Sequence, residues 1–534
     1  MHREIPDRES ALSRRAFLAT AGSALAGAAV GALVERGEAR QQQPKRGGTL
    51  RFATRSDATG LDPHRNLMYL VSTPLAATTM GLLDLNLQSE PVPGIAAEWE
   101  ASPDLMAYTF KLRKGVLFHN GREVDAAAVQ WNFARMRDPQ TAHAMTRSAL
   151  QRLKDVEVMD KYTLRCHLHE PSASFPANVV YYPCSLIAPD SEAQADTHPI
   201  GCGPFKLVKW DRNHITELVR FEHYFETDAA GNSLPYLDGL VGKIKKEDRV
   251  RLTSLRADEV DLIDTMSYAD AETFLKQFAN KYQTWDVPVL GTSYLLFNLD
   301  KGPFTDKRLR HAAAHAIERE AIKQAVFYGR GDAATGFYAP DSPWHLPGAK
   351  PYPVYDPDKA KFLLRQAKAG GTEIILQTQD AYPYVQQTAE IVQAMWSEVG
   401  FKVQVHTYSA SVLRQKRRDR DFHADCTSAS YRFDPDGWYS IQFLSTAPSA
   451  EQNSGFHHDQ ADALIAEARR TADKHRRLEL YTEIESIVND ELPLLYMHHL
   501  TLLQAGTRQL KGYRPAISGA FSMQGAGIRA AWLG

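Results

Sequence analysis

Nineteen histidines stand among 534 residues, so metal chemistry is the first question the chain raises. His311 and His315 share one face of a helix, the spacing zinc hydrolases use, but Ala312 stands where their glutamate would be. His457-His458 and His498-His499 are adjacent, and on a regular element neighbouring side chains diverge. These read as solvated or core histidines. Asp434 and Asp436 flank Pro435 as a candidate carboxylate pair, with nothing nearby to make one the acid and the other the base. Gly201-Cys202-Gly203-Pro204-Phe205 begins like a dinucleotide fingerprint, then lacks the third glycine and puts a proline where the helix would open. It reads as a tight turn. The chain has no G-x-x-x-x-G-K-[ST] phosphate loop and no G-x-S-x-G nucleophile elbow. No catalytic residue, metal or cofactor is expected.

Binding chemistry is better represented. Tyr431-Arg432-Phe433-Asp434-Pro435-Asp436-Gly437-Trp438-Tyr439 packs aromatic faces and charge into one short segment. Stacking faces beside a guanidinium suit a polar organic ligand. Packing between lobes is the competing reading.

The elements that must position these residues alternate. Thr49 to Thr54, Val156 to His169 (a hairpin turning at Asp160-Lys161), Gly201 to Val208, His214 to Phe221 and Thr292 to Asn298 read as strands. Asp125 caps a helix carrying Val129, Phe133 and Met136 on one face, and Lys307 to Phe327 reads as one helix. Asp356-Pro357 opens a helix that ends at Gly370-Gly371. Ile374 to Gln377 is a strand, Tyr384 to Val399 a helix, Phe401 to Thr407 a strand, and Ala461 to Glu491 is helical with a break near Asp473. The first half is richer in hairpins and the second in strand–helix alternation, which implies mixed α/β lobes.

Composition sets the class. Lys and Arg total 62 against 64 Asp and Glu, a formal charge of −2 that excludes a protein held to nucleic acid by bulk charge. A hydrophobic fraction of 43% supports an ordinary core. With 4 cysteines, packing must hold the fold. Cys184 and Cys202 are candidates to pair, Cys166 reads as core-facing and Cys426 as free.

Arg14-Arg15-Ala16-Phe17-Leu18 precedes an apolar Ala/Gly-rich run, the pattern of a twin-arginine export signal, with Gly37-Glu38-Ala39 as a small-x-small cleavage site. The alternative, a membrane anchor, is disfavoured by Gly22, Gly27, Gly31 and Gly37. The expectation is a periplasmic protein exported by the twin-arginine pathway.

Six blocks, in order, carry a family resemblance. They are Gly94-Ile95-Ala96-Ala97-Glu98-Trp99 with the stretch Tyr108 to Gly121; Gly201 to Phe205; Phe297-Asn298; Pro303 to Ala312; Tyr355 to Ala360; and Asp434-Pro435-Asp436. Together the chain resembles the extracytoplasmic solute-binding proteins of ABC importers, family 5, the oligopeptide/dipeptide/nickel class. The resemblance implies an α/β, bilobed periplasmic-binding-protein fold of the large peptide-binding class, with an extra subdomain in the first lobe. It divides the chain into a signal (1–39), a first stretch of lobe I (40–85), the extra subdomain (86–195), a second stretch of lobe I (196–288), lobe II (289–502) and a C-terminal completion of lobe I (503–534). It also implies capture of a peptide or other small polar organic solute between the lobes. The solute is then delivered to a membrane permease and ATPase complex, by a monomer without covalent chemistry. A nickel–chelate binder of the same class, a secreted hydrolase, and the same fold reused as a sensor or chaperone partner are the alternatives.

For the site, the resemblance implies that Met68, Tyr69, Gln379, Tyr431, Arg432, Phe433, Asp434, Asp436 and Trp438 meet the ligand. It also marks a departure. Tyr431 stands where dipeptide binders of the family keep an aspartate for the peptide amino group, and Gln379 where they keep an arginine for the carboxylate. An ordinary dipeptide would lose both charge-assisted anchors, each worth about 1.5–3 kcal/mol.

Overall fold

Alternation and capping place most elements. In Thr49–Thr54 the side chains of Leu50 and Phe52 enter one core and Ala53 another, so this strand is buried on both faces, as central parallel strands are. Asp125, Asp356 and Asp473 each accept a backbone N–H from the first turn of the helix they open, Ala126–Arg137, Pro357–Gln366 and Lys474–Glu491. The break near Asp473 separates this last helix from Asp459–Arg470. The computed structural model describes residues 43–66, 77–180, 182–380, 382–430, 432–447, 454–515 and 527–534.

One sheet of eleven strands organises Pro44–Gly534. Its first half runs Phe205–Asp211, Ile215–Arg220, Gly239–Ile244, Thr49–Thr54, Leu262–Ile263, the last three parallel to one another. Its far half runs Ala424–Ser430, Glu373–Gln379, Lys402–Tyr408, also parallel. Two long antiparallel strands, Tyr282–Phe297 and Leu494–Thr507, join the halves. Their register slips between Pro288 and Thr292, where the partner advances only from Thr501 to His499. A bulge of this kind bends and twists a ribbon, so the two crossings form a bent neck between the two halves of the sheet. A separate four-stranded sheet, Ala96–Ala101, Ala107–Leu112, Thr163–Leu168, Leu153–Asp160, lies within the stretch that the resemblance assigns to the extra subdomain.

Two expectations change. Lys307 to Phe327 is two helices, Lys307–His315 and Arg319–Phe327. The turn between them buries Ile317 and lets Arg319 donate to the carbonyls of Ala334 and Pro353. Cys184 and Cys202 are free thiols, each buried, and burial pushes both up to about 12, far from the thiolate that disulfide chemistry needs. Cys166 and Cys426 are likewise buried and free.

The Gly201–Phe205 turn explains its glycines sterically. A Cβ on Gly201 would stand 2.0 Å from the carbonyl oxygen of Thr78, and one on Gly203 2.5 Å from that of Ala77. The same turn receives His119, whose Nε2 donates to the Gly203 carbonyl at 2.9 Å.

Candidate functional site

In an open α/β sheet, ligands collect outside the carboxyl ends of the parallel strands, where helices and loops diverge. Here two such edges exist. Lobe I ends in Thr54, Ile244 and Ile263; lobe II ends in Gln379, Tyr408 and Ser430.

Aromatic rings bridge these edges. Tyr268, at the start of the lobe I helix Tyr268–Phe278, meets Phe327 of lobe II edge-on at 5.5 Å. Phe327 meets Tyr384, near the start of Pro383–Val399, at 5.9 Å, and Tyr384 meets Tyr382 at 5.7 Å. Phe327 also stacks on His498 of the neck at 3.8 Å. Polar groups orient the chain of rings: Tyr268 donates to the Thr501 carbonyl at 2.6 Å, and the Tyr384 hydroxyl lies 3.1 Å from Ser428 Oγ. Burial lowers His498 to about 3 and His499 to about 4, so both are neutral imidazoles in the neck.

The loop after Thr49–Thr54 is braced from within. Asp57 accepts from Trp210 Nε1 and the Asn213 amide, fastening the loop to the hairpin Phe205–Arg220. Asp62 takes a two-point bond from Arg135, which also bonds His64 Nδ1. Burial holds His64 down at about 4, so it remains a neutral acceptor.

The expected ligand residues divide. Gln379 closes its strand, half-buried at the lobe II edge. Arg432 is half-buried and donates from Nε to the Gly437 carbonyl at 2.9 Å. Met68, Tyr69 and Tyr431 lie outside the described residues. The remaining four are internal in this conformation. Phe433 is buried, and its carbonyl accepts from Trp344 Nε1. Asp434 takes a two-point bond from Arg477 at 2.7 and 2.6 Å. Asp436 is bonded by Arg152, Arg469, Ser174 and Ser440; although burial opposes it, the guanidinium charges hold this carboxyl well below the usual range. Trp438 is 1% exposed, stacked face to face on Phe337 at 3.9 Å with its N–H on Tyr496. Here the Asp-Pro-Asp segment is therefore a packing and ion-pair hub, the alternative its aromatic density already raised.

The reading from sequence missed Arg55, Tyr268, Phe327 and Tyr384. The available signal was positional: Arg55 directly follows the first strand and Tyr384 sits in the first turn of a helix after a parallel strand. Among the described residues no group of three or more His, Cys, Asp and Glu side chains could hold a metal ion. His311 and His315 are each engaged by a carbonyl, of Asp490 and Val354. No helix among the described residues is long and apolar enough to cross a membrane.

Comparison with known proteins agrees with this architecture. The family model of bacterial extracellular solute-binding proteins, family 5, matches residues 90–451. The dipeptide-binding protein of Escherichia coli K12 is 26% identical over 504 residues, covering 87% of this chain and 92% of that protein. Heme-binding protein A of Haemophilus influenzae is 28% identical over 452 residues, covering 79% and 81%. The solved structure of HbpA2 from Haemophilus parasuis superposes with a TM-score of 0.81 at 23% identity, covering 91% of this chain and all of that one (100%).

Proposed function

We propose a function from one premise: the chain belongs to the bacterial extracellular solute-binding proteins, family 5. It is the substrate-binding component of an ABC importer, with a bilobed fold that captures a small solute between lobes and presents it to a membrane permease and its ATPase. The observation that carries the reading is the pair of long strands, Tyr282–Phe297 and Leu494–Thr507, joining two parallel-strand edges that meet through Tyr268, Phe327 and Tyr384. A ligand that touches both edges binds the closed form better and shifts the population toward it.

Dipeptides and heme, for which two of the relatives are named, both carry a carboxylate. The class we infer for this chain is a modified peptide, an opine- or sugar-like conjugate, or another polar organic acid, rather than an unmodified dipeptide. Tyr431 and Gln379 in place of charged anchors support that choice. The protein works in the periplasm as a monomer, without covalent chemistry, and is exported by the twin-arginine route through Arg14 and Arg15.

The test is small-angle scattering of protein stripped of bound solute, with mass spectrometry of what is released by denaturing protein from its native host. Adding back the released compound should shrink the radius of gyration. A compound that saturates the protein at micromolar concentration yet leaves the scattering curve unaltered would refute capture between lobes.

A further inference from the structure

The charged side chains of the loop from Arg55 to Asn66 are accounted for, with one exception. Asp57, Asp62 and His64 are bonded as described, and Arg65 reaches Asp62 and the Gln140 carbonyl. Arg55 stands at the carboxyl end of Thr49–Thr54, half-buried, its backbone N–H donating to Asp264 Oδ2 at 3.2 Å. Among the described residues its guanidinium makes no hydrogen bond, ion pair or ring contact. The acid beside it, Asp264, has its other oxygen against Arg251 Nε at 3.2 Å. The lobe II tyrosine Tyr384 feels the charge of Arg55, as it feels Tyr268.

A guanidinium carries five donors in a rigid fork and is never deprotonated. Half-buried, it keeps only part of its hydration, and a planar oxyanion restores what is lost through two parallel bonds. The Asp264 carboxylate beside it already feels its charge but is shared with Arg251, while Tyr268 on its own lobe reaches Tyr384 opposite through the ring of Phe327. The ligand's anionic end and a flat or apolar body would thus meet in one crevice.

We propose that Arg55 is the anion anchor of the cleft, holding a carboxylate of the captured solute on lobe I while its body packs against Tyr268 and Tyr384. This rests on the interlobe-capture reading and names the charge the solute must carry. The anchor lies on the lobe that precedes the neck, so closure brings lobe II onto a solute already fixed by its carboxylate.

Two acid–neutral pairs test it: N-acetyl-Ala-Phe against its carboxamide, and heme against its dimethyl ester, titrated calorimetrically into the full mature chain. At least one acid should bind the wild type, with its neutral partner at least tenfold weaker. Arg55→Gln should bring the acid down to its neutral partner's affinity, and Arg55→Lys should recover part of the loss. Since the guanidinium makes no hydrogen bond or ion pair among the described residues, the melting temperature of ligand-free Arg55→Gln should stay close to that of the wild type. Equal binding of acid and neutral forms, or undiminished acid binding by Arg55→Gln, would overturn the anchor and leave interlobe capture standing. If none of the four compounds binds the wild type or changes its scattering curve, the capture reading itself fails for this ligand class, and the anchor with it.

Discussion

Arg152 of the extra subdomain donates from Nη1 to Asp436 of lobe II at 2.7 Å, across 284 positions of sequence. Ser174, also in the subdomain, donates to the same oxygen at 2.9 Å, while Arg469 holds the other from within lobe II. One buried carboxylate therefore ties the segments around the four-stranded sheet to the helix Asp436–Phe443. Both side chains of the Arg152 pair are largely buried, at 9% and 2% exposed, so breaking the pair leaves charge without solvent.

Arg152→Gln removes the tie while Asp436 keeps Arg469. The expected cost is about 3 kcal/mol of stability in urea, since loss of one partner from a buried pair costs roughly 3–5 kcal/mol when the other is left alone. The ligand-free variant should also have a larger radius of gyration. An unchanged urea midpoint and an unchanged radius together would refute the tie.

Glu485 sets a pH dependence. Burial pushes its carboxyl up to about 8, partly offset by a hydrogen bond from the Tyr439 hydroxyl, and its Oε1 has no partner among the described residues. The folded chain therefore prefers the protonated acid. Its contribution is full below the unfolded value near 4.5 and is lost as pH rises through about 8. Stability should fall between pH 6.5 and 8.5 (flanking the value near 8), and Glu485→Gln should flatten that fall. His64 and His119, held down near 4, act with the opposite sign and only at lower pH. A denaturation series in which wild type and variant keep parallel slopes above pH 7 would contradict the assignment.

How far the sequence reveals this molecule depends on the range of the interaction. Asp125, Asp356 and Asp473 cap helices through amides three residues away, so their roles are legible locally. The neck is not. Only Thr292 to Asn298 reads as a strand, whereas the structure continues it back to Tyr282, because Pro288 and Gly291 interrupt the pattern and the pairing partner lies some two hundred positions on. The same holds for the candidate site. Asp434 and Asp436 read as ligand groups in the sequence, and only the structure shows Arg477 and Arg152 bonded to them; likewise nothing local distinguishes Arg55 from other arginines, because its neighbours' partners are remote in sequence.

Export is tested at the other end of the chain. Replacing Arg14 and Arg15 by lysine should leave precursor in the cytoplasm of the native host, read by fractionation and immunoblot. Mature protein in the periplasm at wild-type level would refute the twin-arginine route.

The last prediction separates two aromatic residues seven positions apart, Tyr431 and Trp438. Trp438 lies between Phe337 and Tyr496 in a core that Phe443 and Tyr294 complete. Trp438→Ala should open a cavity costing about 3–5 kcal/mol, so its first effect is a lower melting temperature whether or not ligand is present. The family resemblance aligns Tyr431 with the amino-group anchor of dipeptide binders. Tyr431→Ala should leave the ligand-free melting temperature near wild type and weaken the captured solute through lost stacking. Unmodified di- and tripeptides should stabilise neither the wild type nor Tyr431→Ala by a measurable shift. A clear thermal shift with Ala-Phe, undiminished in Tyr431→Ala, would show that the amino-group anchor lies elsewhere and that unmodified peptides belong to the ligand class after all.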